Sequence, residues 1–213
     1  GEVRGRVYLD LDLDQNGAID DGEPGLAGWT VYRDVNSNGQ WDAGELATVT
    51  SADDPGTAGI DESGTYALKG LPPGQHVIAV VLQSGWEQTA PAAPDPAHTV
   101  DLYAGEIVAD RDFGQSVTLS ILDAALPAET DSGSTTLTLT VELSAASIRP
   151  VTVDFATAEG TATAGVDFQS HSGSLTFDPG QTSKPVPITV LGDLLDEFDE
   201  TFSVTLSSAT GAR

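Results

Sequence analysis

The sequence predicts an all-β chain of two tandem β-sandwich domains in a rod-like arrangement. Three observations predict it. Glycine, proline and threonine are abundant, and short β-branched runs alternate with Gly, Pro, Asp and Asn clusters, which favours many strands joined by tight turns. No stretch offers a sustained helical period of 11 residues or more. The 213 residues suit one large domain or two small ones, and composition shifts once along the chain.

In the first half the β-type runs are Val3–Leu9, Gly28–Arg33, Thr65–Leu68, His76–Leu82 and Ile107–Phe113. In the second they are Val117–Ile121, Thr135–Leu143, Val151–Thr157, Gly173–Phe177, Pro185–Leu191 and Glu200–Leu206. Strands spaced this closely between turn signals read as sandwiches. All the tryptophans (Trp29, Trp41, Trp86) and all the asparagines (Asn16, Asn36, Asn38) precede residue 115, whereas threonine dominates afterwards. That shift sets domains at 1–115 and 116–213. No flexible spacer separates them, since Asp112-Phe113-Gly114 runs almost directly into Val117, and a short connection implies a stiff pair.

Charge excludes whole classes of function. The net charge of −25 at pH 7 rules out a nucleic-acid or anionic-membrane binder that works by charge. Apolar runs such as Val77–Leu82 fall far short of the ~20 residues of a membrane helix, so no membrane insertion is expected. There is no cysteine, which removes disulfides and thiolate metal sites and leaves packing or another staple to stabilise the fold. The chain contains no methionine and begins at Gly1, which reads as a piece of something longer.

The staple is visible as a repeated motif. Asp12-Leu-Asp14-Gln-Asn16-Gly17-Ala18-Ile19-Asp20-Asp21-Gly22-Glu23 matches a 12-residue calcium loop at every diagnostic position, and Asp34-Val-Asn36-Ser-Asn38-Gly39-Gln40-Trp41-Asp42-Ala43-Gly44-Glu45 matches it again. A hard cation takes about 6–8 oxygens, and alternate residues of a curling loop point inward to supply them. Asp12, Asp14, Asn16 and Asp20, then Asp34, Asn36, Asn38 and Asp42, are the side-chain candidates. The carbonyls of Ala18 and Gln40 add backbone oxygens, and Glu23 and Glu45 close each shell. Strand-like runs flank both loops, so the loops staple strands in place of opening a helical groove. Asp10, Asp21, Asp53, Asp54 and Asp61 are further carboxylates, each either an added ligand or a solvated turn residue.

The first 115 residues resemble the B-type (SdrD B-like) repeats of the Sdr surface adhesins and their relatives in large secreted bacterial proteins. The matching residues are Gly5-Arg-Val-Tyr8, the first loop, Gly22-Glu23-Pro24-Gly25-Leu26-Ala27-Gly28-Trp29, Val31-Tyr32, the start of the second loop, Gly64-Thr-Tyr66, Gly70-Leu-Pro-Pro-Gly74, Gly85-Trp86 and Asp112-Phe113-Gly114. The resemblance implies a calcium-rigidified sandwich spacer. The internal Lys-to-Asn or Lys-to-Asp isopeptide bond of some relatives is not expected, because Lys69, the only lysine of the first 115 residues, lies outside the first strand.

From about Ser116 the sequence looks like a Calx-beta domain, an immunoglobulin-like sandwich repeat. Its landmarks are Glu129, Leu143-Ser144, Val151-Thr-Val-Asp-Phe155, Glu159-Gly160-Thr161-Ala162, Ala164-Gly165-Val-Asp167-Phe168, Gly173 to Gly180, and Gly192-Asp193 to Phe202. The resemblance places calcium ligands on Glu129, Asp167, Asp193, the Leu195 carbonyl and Glu197; a solvated acidic turn is the alternative for the Asp193–Glu200 run. The final strand of such a sandwich is not seen before Arg213. A neighbouring strand is then left with unpaired backbone groups, which a continuation of the chain or an extended segment of another subunit would cover by strand addition.

Catalysis has little support. His171 sits among serines, but no G-x-S-x-G elbow exists, and His76 and His98 alternate with apolar residues as sheet-face histidines do, not as zinc ligands do. The reading is a non-catalytic, Ca2+-stabilised stalk module of a large extracellular, cell-surface protein, whose partners are calcium ions and neighbouring repeats or subunits. An extracellular filament built by strand complementation and an adhesive domain for protein or glycan are the alternatives, with Trp86 as the loose aromatic for the latter. Acidity as an adaptation to high salt is a third reading.

Overall fold

The computed structural model describes the chain except residues 12–18, 21, 58, 127–130 and 195–197. It divides into two compact units, Gly1–Ser116 and Val117–Arg213.

The first unit contains β1 (Glu2–Leu9), β2 (Thr30–Asp34), β3 (Ala47–Val49), β4 (Thr65–Lys69), β5 (Gly74–Val80), β6 (Trp86–Ala90), β7 (His98–Leu102), β8 (Ile107–Val108) and β9 (Phe113–Val117), the last ending across the boundary. One sheet has the order β4-β1-β9-β6, with β8 also on β1; the other is β3-β2-β5-β7. Alternate residues of both sheets point inward and meet. Val3, Val7, Leu9, Leu68 and Phe113 from the first sheet pack with Val31, Ile78, Val80, Val100 and Leu102 from the second, closed by Trp29 and Leu71. Apolar area removed from water at roughly 25 cal/mol per Å² is the main stabilising term for such a core.

The run expected as one strand over Ile107–Phe113 is broken into β8 and β9. Val3 of β1 pairs with Val108, and Val7 pairs with Phe113, so the partner segment carries one residue more than β1 over the same span. The surplus is taken up around Asp110, which adopts φ 59°. Where the ladder is interrupted, the Asp112 carboxylate accepts the Arg6 N–H at 2.7 Å in place of a main-chain carbonyl.

Strands β3, β6 and β7 were not marked by the β-type runs. All three lie at sheet edges, where one neighbour suffices and long apolar runs are not needed.

The second unit pairs β10 (Leu119–Leu122), β11 (Gly133–Leu143) and β14 (Ser183–Gly192) in one sheet, and β13 (Ser172–Phe177), β12 (Val151–Glu159) and β15 (Phe202–Thr210) in the other. Val141, Val151, Val153, Val186 and Ile188 are buried at 0–1% exposure, while their sequence neighbours Thr152, Asp154, Pro185 and Pro187 are not buried. That alternation is the period of two that a half-buried strand requires. After β15, Arg213 donates to the Val117 carbonyl at 2.9 Å and accepts from Leu119 N–H at 2.6 Å, the offset pattern of a parallel pair.

Candidate metal loops

Among the described residues the second loop is the most complete site. β2 delivers Asp34 at its end, 4% exposed, and the chain then curls through Ser37 (φ 55°) and Gly39 (φ 73°). Gly39 is needed because a Cβ there would be strained in the left-handed region. The Asp34 carboxylate accepts N–H bonds from Asn38 (3.3 Å) and Gly39 (2.8 Å). Asn36 and Asn38 accept from the N–H groups of Asn38 and Gln40 with their Oδ1 atoms and donate to Asp42 Oδ2 with their Nδ2 atoms, at 2.9 and 2.8 Å. Glu45 closes the ring, its two oxygens accepting from Val35 N–H (2.7 Å) and Asp42 N–H (2.9 Å). The structure therefore brings Asp34, Asn36, Asn38, Asp42 and Glu45 into one hydrogen-bonded ring, with the Gln40 backbone on it.

The ring's charge is felt beneath it. Burial pushes the Tyr32 phenol up to about 12, and the negative charges of Asp34, Glu45 and Asp42 push in the same direction. An anionic centre that disfavours a further negative charge is one that favours a cation.

Much of the first loop lies outside the described residues: Asp12, Asp14, Asn16, Ala18 and also Asp21. What is described repeats the clasp of the second loop. Glu23 accepts from Leu11 N–H at 2.9 Å and from Asp20 N–H at 3.0 Å, as Glu45 accepts from Val35 and Asp42. Glu23 N–H reaches the Asp20 carbonyl at 3.2 Å, and Glu45 N–H reaches Asp42 at 3.2 Å. By this correspondence Leu11 stands where Val35 stands, so Asp10 occupies the place of Asp34, two residues ahead of the Asp12 that the sequence pattern put first. Asp10 is 2% exposed. The signal for it is legible in the sequence as the repeat Val7-Tyr8-Leu9-Asp10 and Val31-Tyr32-Arg33-Asp34, a strand end that delivers an aspartate.

Of the other carboxylates, Asp61 is a clamp. It takes Arg6 Nη2 at 2.8 Å and the Ser63 hydroxyl and N–H, and these bonds, the Ser63 hydroxyl first, hold its carboxyl below the usual range. Asp54 caps its own turn through Gly56 N–H at 2.9 Å. Asp53 is exposed.

In the second unit, Glu129, Leu195 and Glu197 lie outside the described residues. Asp167 and Asp193 are half-buried. The Asp167 carbonyl accepts from Leu191 N–H at 2.8 Å, and its Oδ2 accepts from Thr163 N–H at 2.6 Å, which sets Asp167 beside the strand that leads to Asp193. Sequence reading did not give Glu159 a role: it accepts from Ala164 N–H at 2.9 Å and so braces the turn that presents Asp167.

Among the described residues no three of the histidine, aspartate and glutamate side chains stand together as a ready-made metal cluster. His76 and His98 are not paired as ligands either; their Nε2–H groups donate to the carbonyls of Pro72 (2.8 Å) and Asp112 (2.7 Å), the only role a carbonyl partner allows. The tryptophan expected to be loose, Trp86, packs edge-on to Trp29 with ring centres 5.5 Å apart. The exposed tryptophan is Trp41, 53% exposed on the second loop.

The comparisons bear on the second unit. Residues 118–213 match the model of the Calx-beta domain. The second unit is a Calx-beta domain. Sodium/calcium exchanger 1 of Canis lupus familiaris is 43% identical over 58 residues, 27% of this chain and 6% of the exchanger. Sodium/calcium exchanger 2 of Rattus norvegicus is 43% identical over 54 residues, 25% of this chain and 6% of that protein. The chain thus spans a small fraction of the curated relatives it matches. A crystal structure of the apo-form Calx CBD1 domain aligns at 31% identity over 35% of this chain and 66% of that chain, with a TM-score of 0.34.

Proposed function

We propose that this chain is a pair of calcium-stapled β-sandwich modules that act as a stiffened, non-catalytic spacer in a large extracellular surface protein. The observation that carries the reading is the ring of Asp34, Asn36, Asn38, Asp42 and Glu45 at the end of β2. Its donor set is all oxygen and carries three carboxylates, which suits a hard cation and not zinc or copper. Those residues and the Gln40 carbonyl would hold the ion in the second loop. Asp10, Asp20 and Glu23 would do so in the first, with the ligands that lie outside the described residues. In the Calx-beta domain Asp167 and Asp193 are the described candidates. A bound calcium supplies the positive charge that lets converging carboxylates stay together.

Each loop leaves the end of an inner strand and returns to the fold through its glutamate. Binding there ties the loop to the strands, and the fold gains stability by mass action. Modules of the extracellular kind bind calcium at roughly 10⁻⁴–10⁻³ M. The test is a melting curve in millimolar calcium and in excess chelator, with titration calorimetry beside it. A rise in melting temperature and loss of heat on Asp10→Asn and Asp34→Asn are expected; an unchanged curve in chelator defeats the reading.

One observation favours strand addition as a second use. Arg213 begins a parallel ladder on β10, whose residues Ser120–Leu122 pair, among the described residues, with β11 only. An extended segment of a neighbouring subunit could continue that ladder and link copies into a filament. Concentration-dependent polymer formation in native material is the test.

A further inference from the structure

Asn38-Gly39 is a dipeptide with covalent chemistry of its own. The side-chain carbonyl carbon of an asparagine can be attacked by the backbone nitrogen of the next residue, and glycine there leaves the approach open because it has no Cβ. Of the three asparagines, Asn16, Asn36 and Asn38, only Asn16 and Asn38 precede a glycine, and Asn16 lies outside the described residues. Asn38 and Gly39 are both exposed, and a Cβ built on Gly39 would meet nothing within 4 Å, so the peptide bond between them is open to water. The three atoms that the reaction uses are each engaged. Gly39 N–H donates to Asp34 Oδ2 at 2.8 Å, Asn38 Oδ1 accepts from Gln40 N–H at 2.8 Å, and Asn38 Nδ2 donates to Asp42 Oδ2 at 2.8 Å. Asp34 is itself fixed, 4% exposed at the end of β2.

We propose that Asn38 is a spontaneous deamidation site gated by Asp34. The Gly39 nitrogen gives its proton to base and bonds to Asn38 Cγ, closing a five-membered succinimide; the Cγ–Nδ2 bond breaks, and Nδ2 leaves as ammonia with a proton from water. A water molecule then opens the ring at either carbonyl, which gives aspartate or isoaspartate at position 38. Two of the bonds at this dipeptide act on the reaction in opposite senses. Gln40 N–H sits on the oxygen where negative charge develops, and so favours attack. The Asp34 carboxylate opposes it, because the nucleophilic nitrogen must first surrender a charge-assisted bond and lose its proton beside a negative charge. The second effect governs, since nothing attacks until that nitrogen is free, and the reaction therefore runs through the opened loop. Either product alters the ring. Aspartate cannot donate to Asp42 as the Asn38 amide does, and isoaspartate routes the main chain through one extra carbon, which removes the turn that Asn38 Oδ1 makes with Gln40 N–H. The second loop thus carries a one-way, time-dependent change at its tip, and this inference does not rest on the calcium reading.

The test is peptide mapping of the full 213-residue chain during incubation at mildly alkaline pH, beside a free peptide with the sequence of Asp34–Glu45. Cleavage after Arg6, Arg33 and Lys69 puts Asn16 on one fragment and Asn36 with Asn38 on another; fragmentation in the mass spectrometer separates the latter two, and isoaspartate methyltransferase labels the isoaspartate product. In chain and peptide alike Asn38 should convert at least roughly tenfold faster than Asn36, whose successor Ser37 carries a Cβ. In the chain Asn38 should convert at least roughly tenfold more slowly than in the peptide, as groups that react through local opening do. Asp34→Ala removes the acceptor and should bring the chain to within about threefold of the peptide rate, while Asp34→Asn, which keeps an acceptor oxygen, should move it far less. Tryptophan fluorescence checks that the first unit of each variant stays folded; if Asp34→Ala unfolds it, the ratio of wild-type chain to peptide still decides. Conversion in the wild-type chain as fast as in the peptide, or a folded Asp34→Ala chain that keeps the wild-type rate, would overturn the gate. Asn38 left intact after about a hundred peptide half-times would overturn the site itself.

Discussion

Truncation of the two clasping glutamates separates a buried closure from an exposed one. Glu23 and Glu45 accept the same pair of backbone N–H bonds, but Glu23 is 8% exposed, whereas Glu45 is half-buried and its bond from Val35 faces solvent. A hydrogen bond to a charged group contributes about 1.5–3 kcal/mol, and the cost of its loss falls where water can replace the partner. Two such bonds put Glu23→Ala in chelator at roughly 3–6 kcal/mol and the more exposed Glu45→Ala at roughly 1 kcal/mol. Under the proposed function calcium adds a second cost to both. With a dissociation constant of about 1 mM, 10 mM calcium stabilises each intact site by about 1.4 kcal/mol, which the variants forfeit. Tryptophan fluorescence during denaturant unfolding reads this cleanly, because Trp29, Trp41 and Trp86 all lie in the first unit. Equal losses for the two variants in chelator, or a Glu23→Ala loss under about 1 kcal/mol, would refute the argument that burial of the clasp sets its worth.

Three further outcomes are expected. Gly64→Ala should unfold the first unit or cost several kcal/mol, because a Cβ there would lie 2.2 Å from the Val7 carbonyl oxygen and 2.6 Å from Leu26 N at φ 75°, whereas Gly74→Ala meets open space and should cost only about 1 kcal/mol of backbone strain; chemical denaturation compares the two. Burial holds His98 below its usual pKa, so the folded state binds its proton less well than the unfolded state; the resulting stability is present above the ordinary value near 6.5 and is lost as pH falls through the lower folded value. His98→Gln should flatten that pH dependence, and an unchanged slope between pH 7.5 and 5.5 would contradict it. Gln115 is fully buried with neither side-chain polar atom hydrogen-bonded, so Gln115→Met should raise stability by roughly 1–2 kcal/mol in a thermal melt; a fall would mean that the amide is satisfied in solution.

Local chemistry alone determined much of this molecule. The alternation in Thr135–Leu143 and Val151–Thr157 specifies strands because one face must leave water, and it survives in β11 and β12 with small changes of boundary; the Val3–Leu9 run also stands as β1, buried on both faces at Val7, Tyr8 and Leu9. The turn of the second loop was legible because its geometry is set within 12 residues by Asx turns and one glycine. Tertiary structure decided what depends on partners distant in sequence. Edge strands β3, β6 and β7 are strands because a neighbour offers hydrogen bonds, not because their own residues insist. The Ile107–Phe113 run breaks because β1 has one residue fewer than its partner over the same length. Asp10 stands in the first loop where Asp34 stands in the second because Glu23 clasps Leu11, a closure that the spacing of aspartates from Asp12 onward does not reveal. A motif fixes which residue types converge; the backbone bonds that close the loop choose which copy of that residue takes the place.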